Sequence, residues 1–376
     1  MKIAFDLRRI GNPGIGRYMR GLAESVIASA PHNEYLLILP YGFQDRFCAD
    51  ARSVRRTATR AKSYSIREQV EIPRLLLREK VDLLHSPHFN VPLLRPCRLV
   101  VTIHDVIYLA CPQDLPSLTG RLYYRAMISA AARLADRVIT VSEFSKNEIA
   151  RKLNIPLEKI GVIDPGVDAN FQPASVERIR SVQLQYGITG DYILYTGIFK
   201  SRKNHAGLIR AFRHFVDSGA SAQLVIAGPL DGSITELQRL ANELGLSDRV
   251  VFTGFVSEAN LPALYSGARV YACPSLYEGF GFTVLEAMAC GVPVVCSPLT
   301  SLPEVAGDAA LYADPASARK FGGALVQAFT DSSLRAGLVE RGFKNVKRFR
   351  WNSTAARVLE VYGSVLKQPV AGAAFA

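Results

Sequence analysis

Two glutamates eight residues apart lie in the stretch YEGFGFTVLEAMACGVPVV, residues 277–295, and both could act on a bound sugar. The stretch predicts a glycine-rich loop, a short helix, a turn and a buried strand. Glu278 then lies in the loop, and Glu286 falls in about the first turn of a helix that Thr283 could cap. A helix start after glycines offers N–H groups and a positive dipole end, which suit a phosphate. Two carboxylates beside a phosphate site suit a nucleotide-sugar, whose ribose and hexose lie on either side of the diphosphate.

A basic loop is the second polar signal. SRKN, residues 201–204, follows a predicted strand, and Asn204 is placed to start the next helix. At the carboxyl end of a strand, Arg202 and Lys203 would point to the edge where open α/β sheets bind ligands. Two fixed cations there can neutralise a diphosphate leaving group, which is the main electrostatic task in breaking a glycosyl–phosphate bond. The alternative is a solvated surface loop without a ligand.

The first half of the chain offers weaker candidates. GNPGIGRYMRG, residues 11–21, opens a helix, and Gly14 and Gly16 would let the backbone approach a ligand closely. The glycine spacing does not fit a dinucleotide-binding fingerprint. His104 ends a predicted strand beside an aspartate, where a neutral imidazole could donate to a sugar hydroxyl. His88 fits a structural role better, and HSPH, residues 85–88, lacks a third ligand at metal spacing, so no metal site is predicted.

Composition limits the class of protein. The chain has 376 residues, 49% of them hydrophobic, which is enough for two α/β domains. Its six cysteines, Cys48 among them, form no C-x-x-C pair and resemble the reduced core residues of a cytoplasmic protein. The apolar run at the N-terminus is too short for a signal peptide, and no stretch is long enough to span a membrane. We therefore expect a cytoplasmic protein, at most peripheral at the inner face of the cytoplasmic membrane.

Positive charge is concentrated in the first half. Of a formal net charge of +12, residues 1–165 contribute an excess of nine, with 25 Lys and Arg against 16 Asp and Glu. The densest run extends from Arg52 through Lys62 to Lys80. It favours contact with an anionic membrane or a pyrophosphate-linked lipid, although a solvated helix face is an equal alternative. Nucleic acid is not expected as a partner, because no basic stretch is interleaved with stacking aromatics.

Apolar runs alternate with amphipathic segments in the rhythm of parallel sheets. Residues 164–174 form a turn-rich linker between two such halves, and two doubly wound halves predict a cleft. In the first half, strands are predicted at 2–6, 34–40, 81–86, 98–105 and 137–142, and helices at about 15–30, 68–79, 120–135 and 143–153. In the second half, strands are predicted at 192–197, 222–228, 249–254, 268–275 and 292–297, and a final helix at about 352–367.

These motifs together resemble the glycosyltransferase family 4 branch of the GT-B fold, particularly bacterial mannosyltransferases of surface-polysaccharide assembly. The resemblance rests on GIGRY, TIHD, VSEFSK at 141–146, SRKN and above all EGFGFTVLEAMACGVPVV, and it covers nearly the whole chain. It implies an acceptor-side Rossmann-like domain at 1–170 and a nucleotide-sugar-binding domain at 171–350, with the final helix crossing back to the first. The implied reaction is retaining transfer of a hexose, mannose from GDP-mannose, to a lipid-linked or oligosaccharide acceptor without a bound metal or other cofactor.

The resemblance also implies roles for individual residues. Many relatives carry an arginine at the position where this chain has Ile198. Binding of the phosphates is therefore expected from Arg202 and Lys203. The implied roles are Glu278 on the donor sugar and His104 on a sugar hydroxyl as catalytic residues, Glu286 on the ribose, the amides of Gly281, Phe282, Thr283 and Val284 on the diphosphate, and the loop of Gly14 and Gly16 along the cleft.

Two other classes of function remain open. A nucleotide-sugar epimerase of GT-B-like fold would need acid and base groups flanking a sugar carbon and would need no acceptor. A non-catalytic nucleotide-sugar-binding protein would keep Glu286 and the cations but gain nothing from Glu278 and His104 together. A metal-dependent transferase of the single-domain type normally carries a D-x-D motif, which this chain lacks.

Overall fold

The computed structural model describes residues 1–12, 14–43, 53–61, 63–230 and 232–367. The chain forms two compact units, the first made of Met1–Gly166 with Phe349–Ala376 and the second of Val167–Arg348. Cys48, Arg52 and Lys62 lie outside the described residues.

The first unit contains a parallel sheet with helices on its faces. Its strands are β1 (Lys2–Asp6), β2 (Glu34–Pro40), β3 (Val54–Thr59), β4 (Leu83–Ser86), β5 (Arg98–Thr102), β6 (Arg137–Thr140) and β7 (Ile160–Val162). Its helices up to this point of the chain are α1 (Ile15–Ser29), α2 (Glu68–Arg78), α3 (Ile107–Ala110), α4 (Leu118–Leu134) and α5 (Glu143–Leu153).

The order of these strands defines a ligand-binding edge. Across the sheet the order is β3-β2-β1-β4-β5-β6-β7, so successive strands are added on one side of β1 up to β3 and on its other side from β4 onward, although all of them are parallel. Both β1 and β4 are short and almost wholly buried, as expected for parallel strands covered on both faces. Open α/β sheets bind ligands outside the carboxyl ends of the strands at such a switch point.

The second unit repeats this plan. Its strands are β8 (Tyr192–Thr196), β9 (Gln223–Ala227), β10 (Val250–Gly254), β11 (Val270–Cys273), β12 (Val294–Cys296) and β13 (Ala310–Tyr312). Its helices are α6 (Val176–Gln185), α7 (His205–Asp217), α8 (Ile234–Glu243), α9 (Leu261–Ser266), α10 (Phe282–Ala289), α11 (Leu302–Ala306), α12 (Ala318–Thr330) and α13 (Ser332–Val346). The strand order is β10-β9-β8-β11-β12-β13, so the switch point lies between β8 and β11.

The final helix, α14 (Trp351–Lys367), belongs to the first unit. Trp351 packs so closely on Gly21 and Gly166 that a Cβ at either glycine would lie within 2.4 Å of it. Further along the helix, the Tyr362 hydroxyl lies 2.5 Å from Nδ1 of His85 in β4. These contacts fix α14 on the first unit.

The predicted fold class is confirmed, since the structure contains two parallel-sheet α/β units. The predicted strand at 98–105 was too long, because β5 ends at Thr102 and leaves His104 in a loop. Three strands were not predicted, namely β3, β7 and β13. The last two contain three residues each, and β3 has the sequence VRRTAT, whose charges hid the strand pattern.

Candidate functional site

The two loops that follow β8 and β11 meet at the switch point of the second unit. The first, residues 197–204, is here called the lysine loop, and the second, residues 274–281, the glutamate loop. Nζ of Lys203 lies 2.5 Å from Oε1 of Glu278. The same oxygen accepts a hydrogen bond of 2.7 Å from the Ser275 hydroxyl. The Lys203 side chain is 13% exposed and that of Glu278 12%, so this is a largely buried ion pair between two predicted site residues.

Hydrogen bonds to the backbone hold the glutamate loop in shape. The Ser301 hydroxyl lies 3.0 Å from the carbonyl oxygen of Glu278 and 2.8 Å from that of Phe280. The Glu278 amide donates to Oγ1 of Thr300 at 3.1 Å, and the Leu276 amide donates to the carbonyl of Arg202 at 2.7 Å. The last contact ties the two loops together. Glu278 lies in the loop as predicted, and its position is fixed from both sides.

Helix α10 begins differently from the prediction. Gly281, not Thr283, is its N-cap, and no side chain caps it. Gly281 has φ of 121°, and a Cβ there would lie 2.9 Å from Cδ2 of Leu302, so only glycine fits. Thr283 lies two residues after the N-cap, inside the helix, and therefore does not cap it. The Val284 amide already donates to the carbonyl of Gly281 at 3.0 Å, which leaves the earlier amides at the helix start as the candidates for a phosphate.

Glu286 lies in the second turn of α10 rather than the first, and it is 3% exposed. Its Oε2 accepts a hydrogen bond of 2.8 Å from the Tyr265 hydroxyl. That hydroxyl lies 2.6 Å from Oγ1 of Thr196 at the end of β8, which in turn lies 3.2 Å from the Tyr271 hydroxyl. Burial raises the pKa of Tyr271 well above its ordinary value, so its hydroxyl keeps its proton.

Sequence reasoning missed this tyrosine network around Glu286. The only signal for it was the placement of Thr196 at a strand end and of two tyrosines in otherwise apolar segments, which equally fits ordinary core residues. The carboxylate is thus held by a hydroxyl that is itself oriented from β8, next to the lysine loop.

Arg202 and Asn204 occupy the lysine loop in different ways. Arg202 is 8% exposed and lies in a single 3₁₀ turn, Ser201–Lys203. Asn204 is at the start of α7 as predicted, but its left-handed backbone, φ 56°, prevents the usual cap. Its Nδ2 instead donates to the carbonyl of Pro315 at 2.8 Å. Lys203 is therefore in contact with Glu278, and the Arg202 carbonyl contacts the glutamate loop, while Ile198 in the same loop is exposed.

His104 lies in the first unit, just beyond β5. Its Nε2 lies 3.0 Å from the carbonyl oxygen of Pro87, so Nε2 must carry the proton and donate it. Burial lowers the pKa of His104 more than this hydrogen bond and Asp105 raise it, which favours the neutral ring. The remaining Nδ1 is then an acceptor. The predicted contact of His104 with a sugar hydroxyl stays a prediction, and in this arrangement it would be made by Nδ1 as the acceptor.

The glycines at the start of α1 differ from each other. A Cβ on Gly16 would lie 2.1 Å from the carbonyl oxygen of Ile10, so Gly16 is required by the packing of its own loop. Gly14 is the N-cap of α1 with φ of 73°, and a Cβ there would meet nothing within 4 Å. The ring of Tyr18, one turn into α1, packs edge-on against His104 with centroids 4.6 Å apart. The glycine loop and His104 therefore belong to one local region of the first unit.

A buried ionic cluster at the switch point of the first unit was not predicted. Arg8, just after β1, donates to both carboxylate oxygens of Asp6 at 2.8 and 2.6 Å and to Glu68 at 2.6 Å. Nδ2 of Asn90, beyond β4, lies 2.9 and 2.8 Å from the two oxygens of Glu68. Burial lowers the pKa of Arg8, but the charges and hydrogen bonds of Asp6 and Glu68 raise it further, so Arg8 stays charged. In the sequence, the signal for this cluster was the pair of charged residues, Asp6 and Arg8, at the end of the first strand.

Two negative observations concern the described residues alone. In that part of the chain, no three His, Cys, Asp or Glu side chains come together in a group that could hold a metal ion. No helix among the same residues is both long and apolar enough to cross a membrane.

Comparisons with known proteins connect both units to one enzyme class. The family model described as Glycosyltransferase Family 4 matches residues 14–171, and the model described as Glycosyl transferases group 1 matches residues 183–345. The chain is 32% identical to the O-antigen chain mannosyltransferase B of Escherichia coli, across 96% of this chain and 99% of that protein. It is 27% identical to the O-antigen chain mannosyltransferase RfbU of Salmonella typhimurium, across 82% of this chain and 86% of that one.

Solved structures agree in fold. A sucrose-phosphate synthase from Thermosynechococcus elongatus superposes with a TM-score of 0.79 at 21% identity, over 97% of this chain and 99% of that one. HepE from Anabaena, solved in complex with UDP-glucose, superposes with a TM-score of 0.78 at 19% identity, over 97% of this chain and 100% of that one.

Proposed function

The chain belongs to glycosyltransferase family 4 and is a hexosyltransferase, and from that premise we propose that it transfers mannose from GDP-mannose, with retention of configuration, to a saccharide acceptor in surface-polysaccharide synthesis. The two mannosyltransferases named above support the sugar and the class of product. The lysine loop and the glutamate loop, joined through Lys203 and Glu278, support the transfer of a hexose from a diphosphate.

In this proposal the second unit binds the donor. Arg202, Lys203 and the first amides of α10 hold the diphosphate, because guanidinium, ammonium and helix N–H groups all favour an anion. Glu286 accepts hydrogen bonds from the ribose hydroxyls, and its contact with the Tyr265 hydroxyl orients it for that task. Glu278 accepts from hexose hydroxyls near the bond that breaks.

Lys203 links the diphosphate of the donor to Glu278, which contacts the hexose. An ammonium has three N–H donors, so Lys203 can keep its contact with Glu278 while it also donates to a phosphate oxygen. As the glycosyl–phosphate bond breaks, negative charge grows on the diphosphate and positive charge on the sugar ring. Lys203 stabilises the first and Glu278 the second, and their mutual contact holds both at fixed positions before the reaction.

We further propose that no metal takes part. The charge on the leaving diphosphate is met by two cations and a helix start, which together supply the electrostatic stabilisation that a metal provides in other transferases. The sequence contains no D-x-D motif that would hold one.

The acceptor side is assigned to the first unit. Nδ1 of His104 accepts a hydrogen bond from a sugar hydroxyl, while Gly14 lets the ligand approach the start of α1. Near the buried ionic cluster, the exposed rings of Tyr64 and Tyr123 pack edge to face with centroids 5.6 Å apart. Such rings offer apolar faces for the C–H face of a sugar. A lipid-linked acceptor, with peripheral contact to an anionic membrane, fits the positive charge of residues 1–165.

A panel of nucleotide-sugars tests the proposal. The melting temperature is measured with GDP-mannose, UDP-glucose and other donors, each with and without EDTA, because a ligand at 100 times its dissociation constant adds about 2.7 kcal/mol to the free energy of unfolding. We expect the largest shift with GDP-mannose, unchanged by EDTA, and mannose transfer to an oligosaccharide acceptor. Turnover of the sugar without any acceptor would indicate an epimerase, and binding without turnover would indicate a sensor.

A further inference from the structure

A groove of about 510 Å³ lies between α2 and β3, the edge strand of the sheet in the first unit. This volume is within the range of pockets that hold small ligands. We call it the arginine groove, because it is lined by Arg67, Arg74 and Arg78, together with Glu71 of α2 and Thr57 of β3.

The spacing of these residues explains the groove. Arg67, Glu71, Arg74 and Arg78 are separated by four, three and four residues, so a helix places all of them on one face. Arg74 and Arg78 are like charges one turn apart, an arrangement that destabilises a helix. Three guanidinium groups are therefore held along one wall of a single cavity despite their mutual repulsion.

The carboxylates nearby offset this charge only in part. Glu71 accepts from Nε of Arg67 at 2.8 Å and from the Thr59 hydroxyl, and these contacts lower the pKa of Glu71, which keeps it ionised. Nε of Arg78 lies 3.2 Å from Oε1 of Glu79.

Glu79 is itself shared with two further cations, since its Oε2 lies 2.8 Å from the Arg55 guanidinium and 3.5 Å from the Lys2 ammonium. Arg74 forms no ion pair within the described part of the chain. Both ion pairs of Arg67 and Arg78 engage Nε, and a guanidinium has further N–H donors on its terminal nitrogens. The groove thus keeps an excess of positive charge and of hydrogen-bond donors.

We propose that the arginine groove binds a phosphate-ester anion, at a site separate from the donor residues in the second unit. Guanidinium groups match the planar, paired oxygens of phosphate better than other cations do. The Thr57 hydroxyl adds a neutral donor from the opposite wall. The phosphate is that of a lipid headgroup or of a soluble phosphate ester, which present the same group to the arginines. This inference rests on the proposed function only in placing an anionic acceptor or membrane on the first unit.

The experiment compares the full-length chain with the double variant Arg67→Gln/Arg74→Gln. A matched control, Arg210→Gln/Arg239→Gln, removes the same charge from exposed helix surfaces of the second unit, where Arg239 pairs with Glu243 as Arg67 does with Glu71. One arm titrates inorganic pyrophosphate by calorimetry, also in a Lys203→Ala background so that a diphosphate at the donor residues does not mask the groove. The other arm measures co-sedimentation with vesicles of phosphatidylcholine alone or mixed with phosphatidylglycerol.

We expect the groove variant to bind pyrophosphate about tenfold more weakly, as the loss of charged hydrogen bonds predicts, and the control to bind like the wild type. A parallel loss of binding to phosphatidylglycerol vesicles identifies a lipid headgroup, and retained vesicle binding identifies a soluble phosphate ester. Vesicle binding lost without a change in pyrophosphate affinity also assigns the groove to lipid.

Two results would overturn the inference: a groove variant that matches the wild type or the control in both arms, or a wild-type chain that binds neither probe. Hexose transfer is assayed on the same samples. Anion binding by the groove without any transfer would reject the proposed function and leave the groove in place.

Discussion

The Lys203 ammonium lies 2.5 Å from the Glu278 carboxylate, although the two residues are 75 positions apart in the sequence. Each stands in the loop after one of the two strands, β8 and β11, that flank the switch point of the second unit. Both side chains are largely buried, so removal of either leaves the other charge desolvated and unpaired. Substitutions at this pair should therefore change both stability and donor binding.

Lys203→Ala and Arg202→Ala should each weaken binding of a nucleoside diphosphate by about tenfold or more, because each removes a charged donor to the phosphates. Binding of GDP and UDP by the wild type should be unaffected by EDTA. Calorimetric titration measures both effects. The control is Lys344→Ala, which breaks an exposed ion pair with Glu340 and should leave affinity unchanged. Loss of binding in EDTA, or wild-type affinity in both site variants, would contradict the metal-independent diphosphate site.

Glu278→Gln should lower kcat with saturating acceptor, whereas Glu286→Gln should mainly raise the donor KM. Positive charge develops on the hexose ring in the transition state, so the contribution of Glu278 is larger there than in the ground state. The ribose hydroxyls do not change charge during transfer, so Glu286 acts through binding. Steady-state kinetics of the two variants separates these roles. A Glu278→Gln enzyme with unchanged kcat and only a raised KM would show that both glutamates merely bind the donor.

Tyr265→Phe should raise the donor KM with little change in kcat, because Glu286 loses the hydroxyl that orients it at 2.8 Å. The buried carboxylate also loses a hydrogen bond, which should lower the free energy of unfolding by about 1–3 kcal/mol. Kinetics and denaturant unfolding are measured together. Tyr192→Phe is the control, since its hydroxyl bonds only to the Leu264 carbonyl among the contacts described. It should lower stability alone, and an equal rise of KM in both variants would argue against a positioning role for Tyr265.

The loop positions of Glu278 and Lys203 could be predicted from the sequence because two signals coincided. Glu278 and Lys203 each carry a charge in the loop that follows an apolar strand, and parallel strands bring their carboxyl ends to one edge of a sheet. Their contact could not be predicted, because it depends on β8 and β11 being neighbours although β9 and β10 lie between them in the chain. Strand order is a tertiary property that a run of apolar residues does not encode.

Sequence reasoning did not predict the local hydrogen bonding of the site for a similar reason. The choice of Thr283 as a cap assumed a side-chain cap, whereas the positive φ of Gly281 lets the backbone itself turn into the helix. His104 was read as a donor because the carbonyl of Pro87, 17 residues earlier, could not be foreseen as its partner. The buried cluster of Arg8 with Asp6 and Glu68 likewise joins segments 60 residues apart. Which hydrogen-bonding groups remain available to a ligand is decided by such distant partners.

Gly281→Ala should destabilise the second unit by about 1–3 kcal/mol and impair donor binding. An L residue is strained at φ of 121°, and the added Cβ would meet Leu302 at 2.9 Å, which shifts the start of α10. Gly323→Ala is the control, since Gly323 lies inside α12 with open space around its Cα and should gain about 0.5–1 kcal/mol. Denaturant unfolding and nucleotide titration measure the pair. Equal stability of the two variants would show that the glutamate loop tolerates a different backbone.

Acid should destabilise the first unit well above the pH at which carboxylates titrate. Burial lowers the pKa of His85 from 6.5 to about 3, and its ring nitrogens contact the Tyr362 and Thr102 hydroxyls, which satisfy a neutral imidazole. Burial also lowers the pKa of His88 and of His104. Below pH 6.5 these histidines are protonated in the unfolded chain but stay neutral in the folded chain. The free energy of unfolding therefore decreases as the pH is lowered, until the pKa of the folded state is reached.

For His85 alone, the loss is about 1.4 kcal/mol per pH unit between pH 6.5 and about 3. The free energy of unfolding is measured at pH 7 and pH 5 for the wild type, His85→Gln and His32→Gln. His85→Gln should be less stable at pH 7, because it loses a buried hydrogen bond, but should lose about 2 kcal/mol less than the wild type on going to pH 5. His32 is exposed, and His32→Gln should follow the wild type at both pH values. If His85→Gln declines as steeply as the wild type, the imidazole of His85 is not held neutral by its burial beneath α14.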